Sequence, residues 1–356
     1  MSIITKEQIE TPALLIDLDK LELNIRLMSD YLSDKKAKLR PHFKTHKSPT
    51  IAHMQIDAGA KGLCCAKVSE AEVLAAAGIH DILIANQIVD YNKIQRLAGL
   101  AKNTRISVCV DNPINVDELS KAAQAFGSTI YVLVEINIGM DRCGVNTKEE
   151  VLKLAQQISN SKGLVFEGFQ AYAGQLSHQV EFEEREKGVE AAVKKVTEIK
   201  KHLEKNGLQV KEISGAGTGT HNITGNNTIW TEIQAGSYVF MDTDYSRLGF
   251  DFKQSLTVLA TVIHKRPGVA ITDAGQKICC KTVGPPSIKN HPELSAELSE
   301  EHGKILDENN LFQYLQKIEY IPSHCCSTVN MNDYYYCVRG DLLEATWPIL
   351  GRGKSK

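Results

Sequence analysis

Over its first two-thirds the 356-residue chain repeats one pattern: a short apolar run, then a polar–apolar stretch with helical spacing. Few folds can carry that alternation. The strand candidates are ALLIDLD (13–19), KLRPHF (38–43), GLCCA (62–66), DILIAN (81–86), ISVCVD (106–111), YVLVEIN (131–137), VFEGFQAY (165–172), VKEISGA (210–216) and EIQAGSY (232–238). Between them LELNIRLMSDYLS, SEAEVLAAAG and TKEEVLKLAQQIS are the clearest helices, the last two closing near Gly or Asn stops. Continuously apolar strands joined by helices predict a parallel sheet covered on both faces. An unbroken run of such units predicts a closed (β/α)8 TIM barrel. Nine candidates are one too many for it.

From about residue 250 the texture changes. SLTVLATVIHKR, GVAITDAG, KICCKTV, QKIEYIPS and YYYCVRGDLLEATWP read as strands with turns between them, a mainly antiparallel β domain. PSHCCS reads as strand too, and only GRGKSK at the end looks like a tail. A chain of this length exceeds what one hydrophobic core comfortably supports, so a large and a smaller domain are expected.

Forty-one basic against 43 acidic side chains, a formal net charge of −2, leave no field to hold nucleic acid. No apolar run approaches the ~20 residues that cross a bilayer, and MSIITKEQIETP lacks a signal-peptide stretch. These features predict a soluble, cytoplasmic protein without nucleic-acid or membrane partners. Nine cysteines, most of them in apolar runs, read as small buried hydrophobes.

LRPHFKTHK (39–47) is the most informative segment. On a strand, Arg40, His42 and Lys44 share one face. If that face is the barrel interior, Lys44 stands at the C-terminal strand end, where such barrels keep their chemistry. A partly desolvated lysine beside other cations loses its proton more readily and becomes nucleophilic. Lys44 is then either a Schiff-base lysine or part of a solvated basic loop. GAGTGT (215–220) and AGSY (235–238) end consecutive strand candidates, and glycines there let backbone N–H groups approach a phosphate. A lysine that traps an aldehyde beside a phosphate cradle points to pyridoxal phosphate.

TPALLIDLD, RPHFKTHK, CCAKVSEAEV, GMDRCGV, FQAYAGQLSH, SGAGTGT, AGSYVFMDTDY, EEHG, PSHCCSTVN and VRGDLLEATWP, in this order, resemble the D-threonine aldolase/D-serine dehydratase family. These are pyridoxal-phosphate enzymes of alanine-racemase-like fold type III. The resemblance implies that ALLIDLD belongs with the C-terminal β domain, leaving eight barrel strands. It divides the chain into a cofactor-binding barrel (20–250) and a β domain (1–19 and 251–356).

By the same resemblance Lys44 is the lysine that forms the imine with the cofactor, and Arg142 faces the pyridine nitrogen. A guanidinium stays protonated and gives that nitrogen no full proton. Thr218, Gly236 and Ser237 match phosphate contacts, Tyr245 a nearby hydroxyl and Tyr172 a cofactor-facing tyrosine. His178 matches a base near the substrate hydroxyl. Ala173 stands where the family usually carries a larger side chain. His324 and Cys326 match a metal pair, with water and substrate oxygens completing the shell. The aldolase branch more often carries H-x-D, suited to Mg²⁺ or Mn²⁺, while a thiolate selects softer zinc.

The surrounding motifs favour retro-aldol cleavage of D-3-hydroxy amino acids of the D-threonine type to glycine and an aldehyde. Alternatives are a metal-dependent D-serine or 3-hydroxy-D-aspartate dehydratase, a 3-hydroxy-D-aspartate aldolase, or a non-catalytic pyridoxal-phosphate carrier. The family resemblance also implies a homodimer.

Overall fold

The computed structural model describes residues 4–356, so residues 1–3 of the expected β domain lie outside it. Eight parallel strands form one sheet: β2 (Lys38–Leu39), β3 (Leu63–Cys65), β4 (Asp81–Gln87), β5 (Arg105–Val110), β6 (Ile130–Glu135), β7 (Leu164–Ala171), β8 (Glu212–Gly215) and β9 (Glu232–Ile233). Their order is β2-β9-β8-β7-β6-β5-β4-β3. A parallel bridge between His42 and Cys64, with Phe43 N–H donating to the Cys64 carbonyl, joins the two ends and closes the ring. The barrel follows from the alternation of strand and helix.

The helices start where the local chemistry allows. Thr147 and Glu150 form a capping box ahead of Lys148–Asn160, and Asn112 caps Pro113–Phe126 with proline in the first turn. Side chains alternate across the strands. Ile82, Ile84, Ile106, Val108, Val132 and Val134 join the large apolar cluster that includes the helix residues, while Leu83, Cys109 and Leu133 form a small separate cluster of their own. Further round the ring, Gln234 donates to Gln170 at 2.7 Å and to Ser214 at 2.8 Å.

The second sheet contains β1 (Ala13–Asp17), which resolves the count of nine candidates. Its other strands are β10 (Leu256–Arg266), β11 (Gly268–Thr272), β12 (Ser287–Ile288), β13 (His291–Leu298), β14 (Gly303–Asp307), β15 (Lys317–Ile321), β16 (Tyr334–Arg339) and β17 (Leu342–Pro348). The order is β11-β14-β13-β12-β15-β10-β1-β16-β17, with β10 and β11 also paired. All pairings are antiparallel except β1 with β16.

The compact units divide differently from the expected boundaries. One holds the chain up to Met28, Thr45–Thr50 and Ser237–Gly353; the other holds Ser29–Lys44, Ile51–Gly236 and Lys354–Lys356. The break falls at Gly236 because the following segment is bonded into the β unit: Asn24 donates to the Val239 carbonyl and Ser255 N–H to Phe240. KICCKTV is not a strand. Its backbone turns on local bonds, and Cys280 N–H donates to Thr328 Oγ1. The C-terminal residues are not a loose tail, since the Ser69 hydroxyl lies within hydrogen-bond distance of the Lys354 and Lys356 carbonyls.

Candidate active site

In the barrel unit, the segment LRPHFKTHK is regular strand only at its start. Regular strand ends at Leu39, and residues 43–46 are a turn. Arg40 is buried and ion-paired to Glu232 at 2.7 Å and Asp81 at 2.9 Å, at the N-terminal ends of β9 and β4. Lys44 lies in the turn at the other end and is exposed, so the expected desolvation beside free cations is absent. Its N–H donates to His42 Nδ1 at 3.4 Å. His42 N–H donates to the Ala235 carbonyl, which sets the lysine segment beside the chain leading into Gly236.

Arg142 and Tyr172 come together, the guanidinium lying 5.7 Å from the ring centroid, a cation–π distance. Tyr172 Oη is 3.2 Å from Ser177 Oγ, in the loop that carries the exposed His178. Thr218 is buried in a short 3-10 turn after Ala216, which takes a left-handed φ of 58°. His221 Nδ1 lies 2.7 Å from the Thr218 carbonyl, and burial, opposed by that bond and aided by Arg185, lowers its pKa to about 4. Gly219 is packed so closely that a Cβ there would sit 1.9 Å from the Ser177 carbonyl. The phosphate-type loop and the His178 loop thus abut.

In the β unit, PSHCCS is not a strand. His324 caps the helix Cys325–Met331, and Cys326 lies in its first turn. The two side chains still meet. A hydrogen bond with Cys326, opposed by burial and aided by the Cys326 and Asp242 charges, raises the His324 pKa to about 9. Cys326 Sγ lies 3.4 Å from Thr45 Oγ1 and 4.0 Å from Ser237 Oγ. Sequence reasoning missed Asp242 as an organiser. Fully buried, it accepts from the N–H groups of Tyr245 at 2.9 Å and Cys325 at 3.0 Å, and lies 3.7 Å from His324 Nδ1. The signal was present in MDTDY, where an aspartate three residues before Tyr245 is a helix-capping spacing. Thr45, inside KTHK, was likewise overlooked. Along the chain, Thr45 follows Lys44 and Ser237 follows Gly236 directly.

Residues 16–244 match the model "Alanine racemase, N-terminal domain", and residues 255–338 match "Putative serine dehydratase domain". The chain belongs to the alanine racemase-like family. This fold type III enzyme is 38% identical to the 3-hydroxy-D-aspartate aldolase of Paracoccus denitrificans (strain Pd 1222), covering 98% of this chain and 94% of the relative. It is 40% identical to the D-threonine aldolase of Arthrobacter sp., with the same coverage. The crystal structure of D-threonine aldolase from Filomicrobium marinum superposes with a TM-score of 0.97 at 38% identity, covering 100% of this chain and 99% of that one. The full-length similarity of this family member is therefore to carbon–carbon lyases.

The family implies pyridoxal phosphate. The barrel residues fit it: an exposed primary amine at Lys44, an arginine against Tyr172, and glycine-containing backbone at 215–220 and 235–236 that can approach a phosphate. In the β unit, His324 Nδ1 is buried without a hydrogen-bond partner. An imidazole beside a thiol is a donor set for a borderline-soft divalent ion. Among the described residues no group of three or more His, Cys, Asp or Glu side chains is arranged to hold a metal.

Proposed function

We propose that this enzyme is a pyridoxal-phosphate- and divalent-metal-dependent aldolase that cleaves D-3-hydroxy amino acids of the D-threonine type to glycine and an aldehyde. The observation that carries this reading is 38–40% identity, over almost the whole chain, to two aldolases of D-3-hydroxy amino acids. When bound, the cofactor supplies an electron sink for the pair left at Cα, and the ion supplies a Lewis acid for the 3-hydroxyl.

The chain's own residues divide the remaining work. Lys44, exposed in the turn that follows β2, offers the amine that anchors the cofactor. Arg142 keeps its proton and so limits how much charge the ring accepts, which restrains carbanion chemistry to what aldol cleavage needs. Tyr172, Thr218, Gly236, Ser237 and Tyr245 orient the cofactor. His178 takes the proton from the substrate 3-hydroxyl, the Cα–Cβ bond breaks with its electron pair staying on Cα, and glycine forms when a proton is returned there. His324 and Cys326 would hold the ion. A thiolate ligand favours zinc over manganese and magnesium. We further propose a cytoplasmic homodimer.

A second reading has its own support. Cys326 and the serine dehydratase match over 255–338 favour a metal-dependent dehydratase acting on D-serine or 3-hydroxy-D-aspartate. Incubation with D-threonine, D-serine and 3-hydroxy-D-aspartate, each with Mn²⁺ or Zn²⁺, separates the cases. Glycine with the matching aldehyde is the expected product. Pyruvate or another 2-oxo acid with ammonia would replace the aldolase by the dehydratase. A yellow protein with no turnover would leave the carrier. His324→Ala should keep the cofactor absorbance and lose metal-stimulated turnover, and activity retained in EDTA would remove the metal from the scheme.

A further inference from the structure

Among the described residues, the largest fully buried side chain is Arg185, in the first turn of the helix Phe182–Lys205. A cation there opposes the helix macrodipole, and a buried guanidinium needs acceptors for its donors. Its Nη1 donates to the Gln179 carbonyl at 2.5 Å and to the Val180 carbonyl at 3.4 Å, and its guanidinium lies 5.6 Å from the Phe182 ring centroid. Gln179 and Val180 directly follow His178.

Two other close approaches fix the same stretch. Gly188, one turn further along that helix, meets Leu176, since a Cβ there would fall 2.5 Å from a Leu176 methyl carbon. Gly219 meets the Ser177 carbonyl from the side of the Thr218 loop. The helix that carries Arg185 also packs against the short helix His221–Thr224, whose His221 Nδ1 lies 2.7 Å from the Thr218 carbonyl.

We propose that Arg185 is a positioning residue that fastens the His178 segment against the Thr218 loop, so that the base and the phosphate end of the cofactor keep one fixed relation. The proposal rests on the reading of His178 as the base and Thr218 as a phosphate contact. The ten residues between β7 and the helix, 172–181, have their own freedom, and a misplacement of about 1 Å at a catalytic group costs on the order of 10²-fold in rate. A guanidinium gripping two successive carbonyls removes that freedom next to His178. Both bonds leave from Nη1, so lysine can keep part of the grip but loses the guanidinium plane beside Phe182.

The test compares holoenzyme with Arg185→Gln and Arg185→Lys. Amide hydrogen exchange over 174–181 should quicken roughly tenfold in R185Q and by a smaller factor, about threefold, in R185K. Turnover should fall about tenfold in R185Q with KM within about threefold, since substrate contacts are untouched. The double variant H178A/R185Q should be no slower than H178A alone, because Arg185 acts through His178; a generally weakened fold would multiply the two losses. Wild-type exchange over 174–181 in either variant overturns the proposal, as does a multiplicative double variant. If R185Q does not fold, R185K alone decides by the same exchange criterion. Absence of any lyase activity in the wild-type enzyme would sink the functional reading, while the exchange result would still judge whether Arg185 holds the loop.

Discussion

At the N-terminal end of the barrel strands, cations meet carboxylates in a lattice centred on the buried Arg40 and Glu232: Arg40 with Glu232 and Asp81, Lys61 with Glu232 and Glu212, Arg105 with Glu167. Arg105 also lies over Tyr131 at 3.6 Å. At the C-terminal end, Lys44, Arg142 and His178 are exposed, and their surroundings are hydroxyls, aromatic faces and turn backbone. One segment, LRPHFKTHK, supplies both ends. The comparison teaches that a charge's role is set by what it faces. Paired and buried, it closes the barrel floor; exposed at the strand ends, it is available to a ligand. Burial alone would raise the Glu232 pKa, yet Arg40, by charge and hydrogen bond, and Lys61 bring it down to about 2.

Three experiments press on that contrast. The largest effect belongs to the mouth: Lys44→Ala should remove the visible cofactor absorbance and lower turnover by on the order of 10³ or more, with little change in the thermal midpoint of the cofactor-free protein. A midpoint that collapses would make Lys44 a structural cation like those of the floor. Next, Arg40→Met should do the opposite. It leaves Glu232 buried with Lys61 alone, a loss of about 3–5 kcal/mol, read as a lower denaturant midpoint while cofactor binding by the folded fraction is unchanged. Wild-type stability in that variant would show that the floor lattice contributes nothing.

The smallest effect is the acid profile. His221, held neutral with a pKa of about 4 against about 6.5 when unfolded, contributes stability that is present above pH 6.5 and fades as pH falls toward 4, because only the unfolded chain takes the proton. Glu232, at about 2 against about 4.3 unfolded, contributes stability present above pH 4.3 and lost as pH falls toward 2. Each window is worth up to about 3 kcal/mol by linkage. Glu232→Gln should erase the lower window and leave the upper one, measured as thermal midpoint against pH. A profile with no lower window in the wild type would count against the floor pair.

Much of this architecture was legible in the chain. Apolar runs alternating with capped amphipathic stretches specify strands and helices wherever burial is two-sided, as in β4 to β7. The change of texture near residue 250 marks the second sheet. The short strands β2 and β9 were overread because basic and glycine-rich text continues past the last ladder bond, and KICCKTV and PSHCCS because apolar cysteine-rich runs look alike in strands, turns and short helices. Motif text singled out Lys44, Arg142, Tyr172, His178, Thr218, His324 and Cys326 as candidates, but not the side chains packed against them. Asp242, Thr45 and Arg185 act through contacts with residues far away in sequence or through a loop's folded shape, and no local pattern encodes those.

By itself the amino-acid order determined the periodicities, the caps and the inventory of reactive groups, since these depend on neighbours a few residues apart. Tertiary structure decided which cation is buried against a carboxylate and which stays in solvent, that ALLIDLD joins the second sheet, and which side chains brace the His178 and Cys326 segments. Those outcomes turn on burial and on pairings between distant residues, whose energies exist only once the chain has closed on itself.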